Sequence, residues 1–172
     1  MINLDDYLKQ NVNDSREINN TKTFYDKFEK LNSIYNDIAV SDKLLRSQGK
    51  YNSKICFIFK DKEHYNLCMK SLHRILPIYG IDMWDILTLF SDKTENNADN
   101  ISILFKEIQV VNPLVIYIFD NDGLNEMIIN EAQNKTVLCC KMINVDNIDK
   151  VLEKNISTEI FDLFEYLITY NY

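Results

Sequence analysis

The side chains of this 172-residue chain best suited to chemistry are four aspartates and a histidine. Asp120 and Asp122, in Asp120-Asn121-Asp122-Gly123, form the sharpest acidic pair. With a third carboxylate from Asp61 or Asp146 they would offer the hard oxygen set that Mg²⁺ prefers. The same spacing also suits a cap, in which Asp120, Asn121 or Asp122 accepts a backbone N–H from a helix starting near Leu124. We carry capping as the main reading. His64 follows Asp61 closely, where an imidazole could act as general acid or base. His73 lies nine residues further on. The two histidines do not make a shared site, and neither has a nucleophile partner in sequence. There is no G-x-S-x-G elbow and no H-E-x-x-H helix.

The cysteines point away from metal. Cys56, Cys68, Cys139 and Cys140 include no C-x-x-C pair, and adjacent Cys139 and Cys140 would face opposite sides of a strand. Buried thiols are the expectation, with no metal and no cofactor. Charge narrows the partners as well. Residues 1–53 carry eight positive and eight negative side chains, and residues 54–172 carry eleven and eighteen. The net charge of −7 therefore lies wholly in the second stretch. Strong direct binding to nucleic acid is not expected, because neutralising phosphates takes clustered Lys and Arg. The one local basic group is Lys43, Arg46, Lys50 and Lys54, read as solvated lysines and arginine. No apolar run is long enough to span a bilayer, and Met1 to Asp6 lacks the basic start and apolar core of a secretory signal. A cytoplasmic protein with no membrane partner is the expectation.

Elements to position these groups emerge from periodicity. Phe24, Phe28, Leu31, Tyr35 and Ile38 recur at steps of three and four, the stripe of a helix lying on a core. Ser47 to Lys50 breaks it. Ile55 to Phe59 is a continuous apolar run suited to a strand covered on both faces. A helix over 62–79 follows with Cys68, Leu72, Ile75 and Tyr79 inward, stopping near Pro77 and Gly80. Trp84, beside Ile81, Met83 and Ile86, is expected to pack in the core or at its edge. Ile86 to Phe90 reads as the second strand. A helix carrying Ile101, Leu104, Phe105, Ile108 and Val111 ends at Asn112-Pro113, and Leu114 to Phe119 is the third strand. Thr136 to Met142 is expected as the fourth, with a short helix from Val145 to Leu152 and a longer one capped by Ser157.

Strand and helix thus alternate four times. The expected fold is a three-layer α/β/α sandwich with a four-stranded, mainly parallel sheet. It forms one domain over residues 23–172, preceded by a flexible or partly helical segment over residues 1–22. In such a sheet, ligands sit beyond the carboxyl ends of the strands. The segments there, Lys60 to His64, Ser91 to Lys93, Asp120 to Gly123 and Ile143 to Asp146, have no glycine spacing for phosphate. Their aspartates would occupy the positive helix ends themselves, so nucleotide binding is disfavoured.

Residues 24–119 carry a resemblance. Tyr79-Gly80-Ile81-Asp82 before the second strand, and Asn112-Pro113-Leu114-Val115-Ile116 leading into the third, resemble the uracil-DNA glycosylase-like fold. There a G-[ILV]-D turn and an NP-x-V-I junction occupy the same places. Active members carry a Gly/Pro-containing loop after strand one, a base-reading Asn after strand two and, in many, a histidine motif after strand four. Here those places hold Lys60-Asp61-Lys62-Glu63, Phe90-Ser91 and Met142-Ile143-Asn144, so no catalytic residue carries over. A fold of this kind without its site is similar to the psi-subunit family of the bacterial DNA polymerase III clamp loader. In that family an N-terminal peptide docks onto the clamp-loader collar, which would give Leu4, Tyr7 and Leu8 a partner-binding role.

The leading expectation is therefore a non-catalytic protein-interaction subunit of a DNA replication or repair assembly, with replication or clamp-loader components as partners. A second expectation is a divergent DNA glycosylase or nucleotide-processing hydrolase using Asp61, Asp120 or Asp122 with His64. A third is an acidic inhibitor from a mobile element whose charged face mimics DNA.

Overall fold

A computed structural model of the chain describes residues 15–37, 47–91, 97–119, 123, 126–128, 130, 140–145, 148 and 162–167. Its elements in chain order are α1 (Ser15–Asp37), β1 (Ser47–Gly49), β2 (Ile55–Phe59), α2 (Lys62–Ile75), β3 (Leu87–Phe90), α3 (Asn97–Val111), β4 (Val115–Phe119) and β5 (Lys141–Val145). Two single 3-10 turns, Leu76–Tyr79 and Met83–Asp85, join α2 to β3.

The fold is α/β, and its sheet runs β1-β3-β2-β4-β5. β2 lies at the centre, parallel to both β3 and β4, and β5 is parallel to β4. All five residues of β2 and of β4 are buried. That is why both strands read as unbroken apolar runs: each has a helical layer on either side. The chain leaves β2 through α2 to reach β3 on one flank. It then returns through α3 to β4 on the other flank. Right-handed crossovers in opposite directions put α2 and α3 on opposite faces of the sheet.

Each face has its own core. Phe57, Phe59, Phe90, Tyr117 and Phe119 pack under Cys68, Leu72 and Ile75 of α2, joined by Phe164 and Leu167 from the helical residues 162–167. On the reverse face, Cys56, Ile58, Leu87, Leu89, Ile116 and Ile118 meet α1 and α3. Leu31 of the expected α1 stripe is buried there, and Phe28 stands edge-on to Tyr51 at 5.4 Å between ring centres. Lys27 Nζ donates to the carbonyl oxygen of Val111, a cation placed on the negative end of α3. α3 then stops at Asn112, whose φ of 50° closes the helix in the left-handed region. Its N–H still bonds to the oxygen of Ile108 at 2.8 Å.

Four points differ from the sequence reading. The sheet has five strands rather than four, because Ser47–Gly49, expected only to break a helix, pairs antiparallel with β3. A three-residue polar strand at a sheet edge carries no hydrophobic alternation, so periodicity passes over it. Gly49 is required there: its φ is 98°, and a Cβ would lie 2.0 Å from the Ile86 carbonyl oxygen. Secondly, the last strand spans Lys141–Val145, later than the expected Thr136 to Met142, with Lys141 paired to Val115 and Val145 to Phe119. Thirdly, Val145 accordingly ends that strand rather than opening a helix. Fourthly, α1 begins at Ser15 and runs through residue 22 without a break. No helix among the described residues is long and apolar enough to cross a membrane.

Candidate functional site

The parallel strands, taken alone, stand in the order second, first, third, fourth. The direction of travel reverses between β2 and β4, and an open α/β sheet takes its ligands at the carboxyl ends flanking such a reversal. Here the last side chains of the two strands turn into the core. Phe59 and Phe119, the last residues of β2 and β4, stack at 4.5 Å with their planes 10° apart. Tyr65 from the first turns of α2 closes the flank, edge-on to Phe59 at 5.2 Å and to Phe90 at 5.7 Å. Ser91 ties the ends of β2 and β3 together: its N–H donates to the Phe59 carbonyl at 2.9 Å and its hydroxyl to the Lys60 carbonyl at 3.1 Å.

The sequence candidates are used structurally where the structure describes them. Asp61 is the N-cap of α2, its Oδ1 accepting the His64 N–H at 2.7 Å. The His64 ring lies edge-on to Phe59 at 6.0 Å. Its Nδ1 is buried without a hydrogen-bond partner among the described residues. Asp120, Asp122 and Asp146 lie outside the described residues, as do Leu4, Tyr7, Leu8, Lys43, Arg46 and Cys139. Cys56 and Cys68 are buried and Cys140 is half-buried. Burial pushes the Cys56 thiol well up from its ordinary pKa, and the nearby Glu107 and Cys140 push it further. A thiol held protonated in this way is a poor nucleophile and a poor metal ligand. No group of three or more His, Cys, Asp or Glu side chains among the described residues could hold a metal ion.

A groove of about 430 Å³ runs along α2 among the described residues. One wall is the stripe Lys62, Tyr65, Met69 and His73, spaced three and four apart so that they share a helix face. Gln48 and Gly49 of β1 form the opposite wall. The turn Asp82, Met83 and Trp84 closes the end. Trp84 is 74% exposed, while Met83 is buried at 9%. A 3-10 turn rotates successive side chains by about 120°, so Met83 enters the core and sends Trp84 outward. The sequence reading, which packed Trp84 in the core or at its edge, is corrected on this point. The turn itself is rigidly closed: Asp82 accepts the Trp84 N–H at 3.0 Å, and Asp85 accepts the Asp82 N–H at 3.4 Å, a reciprocal capping box.

Lys62 dominates the electrostatics of the groove. Its ammonium donates to Gln48 Oε1 at 2.8 Å and lies 4.3 Å from the Tyr65 ring centre and 5.2 Å from that of Phe90. Partial desolvation lowers its pKa from the ordinary lysine value. Aromatic faces attract the charge but leave its hydrogens unspent. Sequence reasoning noticed Lys62 only as a neighbour of Asp61 and Met83 only as a packing neighbour of Trp84, and gave no role to Gln48 or Met69. The stripe of Lys62, Tyr65, Met69 and His73 was the available signal, lying beside the core stripe of the same helix.

Compared with known protein families and with curated proteins, the chain matches none.

Proposed function

We propose that this chain is a non-catalytic protein-interaction subunit that serves a DNA replication or repair assembly in the cytoplasm. One observation carries the protein-binding reading. Phe59 and Phe119, at the ends of the two strands that flank the reversal, are committed to a buried ring stack, while an indole, Trp84, stands 74% exposed at the mouth of an open groove. Tryptophan is the residue most enriched among the anchors of protein interfaces, and a single exposed one beside a concavity suits that use. Asp61 supports the same reading, since one of its carboxylate oxygens serves as the cap of α2. The replication or repair setting rests on the resemblance of residues 24–119 to the glycosylase-like and psi-subunit pattern.

The test is affinity capture from the source cell with the full chain and with Trp84→Ala. Recovery of a replication or repair protein, lost or strongly reduced with Trp84→Ala, is the expected result. Deleting residues 1–22 should weaken capture further. Capture of no such protein, or excision of uracil by the wild-type chain that Asp61→Asn abolishes, would overturn the proposal.

A further inference from the structure

The groove beside α2 has a chemistry specific enough to name its occupant, given the protein-binding reading above on which this inference rests. Of its lining groups, Lys62 is the single lysine or arginine, and its polar partner Gln48 is neutral. No carboxylate pairs with that ammonium among the described residues. Asp82, the acidic group in the lining, has an oxygen spent on the Trp84 N–H that closes its own turn. Around this cation lie soft apolar groups: the thioethers of Met69 and Met83 and the exposed indole of Trp84.

We propose that the groove binds a peptide segment of a partner protein that presents one carboxylate next to a large apolar side chain. The carboxylate takes the unspent hydrogens of the Lys62 ammonium, and the apolar side chain lies between Met69, Met83 and Trp84. Charge and shape exclude the alternatives. A basic segment meets Lys62 with like charge. A wholly apolar segment strips water from the ammonium and returns no anion, which costs more than it gains. A phosphate carrying close to two charges finds one cation and the Asp82 carboxylate, where phosphate sites use several cations or a guanidinium fork. Methionine suits an occupant defined by character rather than by one shape, because its flexible thioether repacks around different apolar groups.

Trp84 is the single tryptophan of the chain and so reports on its own groove by fluorescence. The experiment selects a randomised heptapeptide library on the purified full chain and follows synthetic copies of the enriched peptides by Trp84 emission. Enriched sequences should share Asp or Glu beside Leu, Phe, Met or Trp, and should shift the emission on binding. Lys62→Met should weaken them about tenfold, the usual worth of one charge-assisted hydrogen bond. Lys62→Arg should keep most of the affinity. Replacing the peptide carboxylate by its amide should cost the same, with little further loss on Lys62→Met, as a coupled pair requires. The proposal is overturned if enriched peptides lack a carboxylate or ignore Lys62. It is equally overturned if no peptide is enriched, or if adenosine monophosphate shifts the emission through Lys62 more strongly than any peptide does. Should Lys62→Met and Trp84→Ala leave capture of a cellular partner intact, this groove is wrong while the protein-binding reading stands. Failure of that capture by the wild-type chain removes both.

Discussion

The two faces of the sheet solve the same packing problem with different side chains. Beneath α1 and α3 the strands present Cys56, Ile58, Leu87, Leu89, Ile116 and Ile118, mostly branched aliphatics of similar size. Beneath α2 they present Phe57, Phe59, Phe90, Tyr117 and Phe119, where rings meet edge-on or stacked at centroid distances such as 5.4 Å for Phe57–Tyr117 and 5.3 Å for Tyr117–Phe164. Aliphatic groups fill a slot between two helices and end there. Rings are larger, directional and carry polar handles, so the aromatic face reaches outward. Tyr65 and Met69 pack against its core and also line the groove. The aromatic face also holds two loose ends. The Thr88 and Tyr117 hydroxyls are buried without a hydrogen-bond partner among the described residues. The lesson is a division of labour: one face is closed between the sheet and its helices, and the other also offers a surface.

That contrast can be broken in graded ways. Phe59→Ala should have the largest effect, because it opens the stack at the β2–β4 reversal. A loss of about 3–5 kcal/mol is expected for a buried ring, read as a fall in the urea midpoint. Ile118→Val on the aliphatic face should cost only about 1 kcal/mol. A Phe59→Ala loss no larger than that of Ile118→Val would mean that the Phe59–Phe119 stack does not support the core. Gly49→Ala should come next. The added Cβ would lie 2.0 Å from the Ile86 carbonyl oxygen at a φ of 98°, so a cost of about 1–3 kcal/mol is expected from backbone strain. Hydrogen exchange should then show β1 released while β2 and β4 stay protected.

Alkaline pH should weaken the fold, in part through the aromatic face. Burial, with Tyr79, Glu165 and Tyr166 adding to it, raises the Tyr117 hydroxyl well above the ordinary 10.0. The unfolded chain therefore loses this proton first as pH rises. Stability is complete below that ordinary value and declines above it, so the urea midpoint should fall from about pH 9 to about pH 11. Tyr117→Phe should flatten the decline. It should also stabilise the chain by about 1 kcal/mol at neutral pH, since it removes an unpartnered buried hydroxyl. Thr88→Val tests the same idea with a near-isosteric change and should raise the melting temperature slightly. Trp84→Ala should be the smallest, within about 0.5 kcal/mol, because a surface side chain contributes little to folding. Large destabilisation by Trp84→Ala would mean that the indole supports the fold and is not an anchor.

Much of the architecture was legible from spacing alone. The β2 run matched its strand residue for residue, the third strand did so to within one position, and Cys68, Leu72, Ile75 and Tyr79 all proved buried as their stripe required. Each of these signals is local: a strand covered twice must be apolar throughout, and a helix on a core must repeat every three or four residues. β1 was invisible because three polar residues acquire strand geometry only from the pairing that β3 supplies. The start of β5 was misplaced because an apolar run does not say which of its residues a neighbouring strand will accept.

The candidate site divides in the same way. The sequence alone determined the α/β alternation, the acidic balance and the lack of a phosphate loop after any predicted strand, since composition and period need no partner. Only the tertiary structure decided that Asp61 is a cap, that Phe59 and Phe119 stack at the ends of β2 and β4, and that Trp84 faces outward beside Lys62. These outcomes depend on strand order and on the rotation of a single turn, which bring together residues that are distant along the chain and carry no shared local pattern.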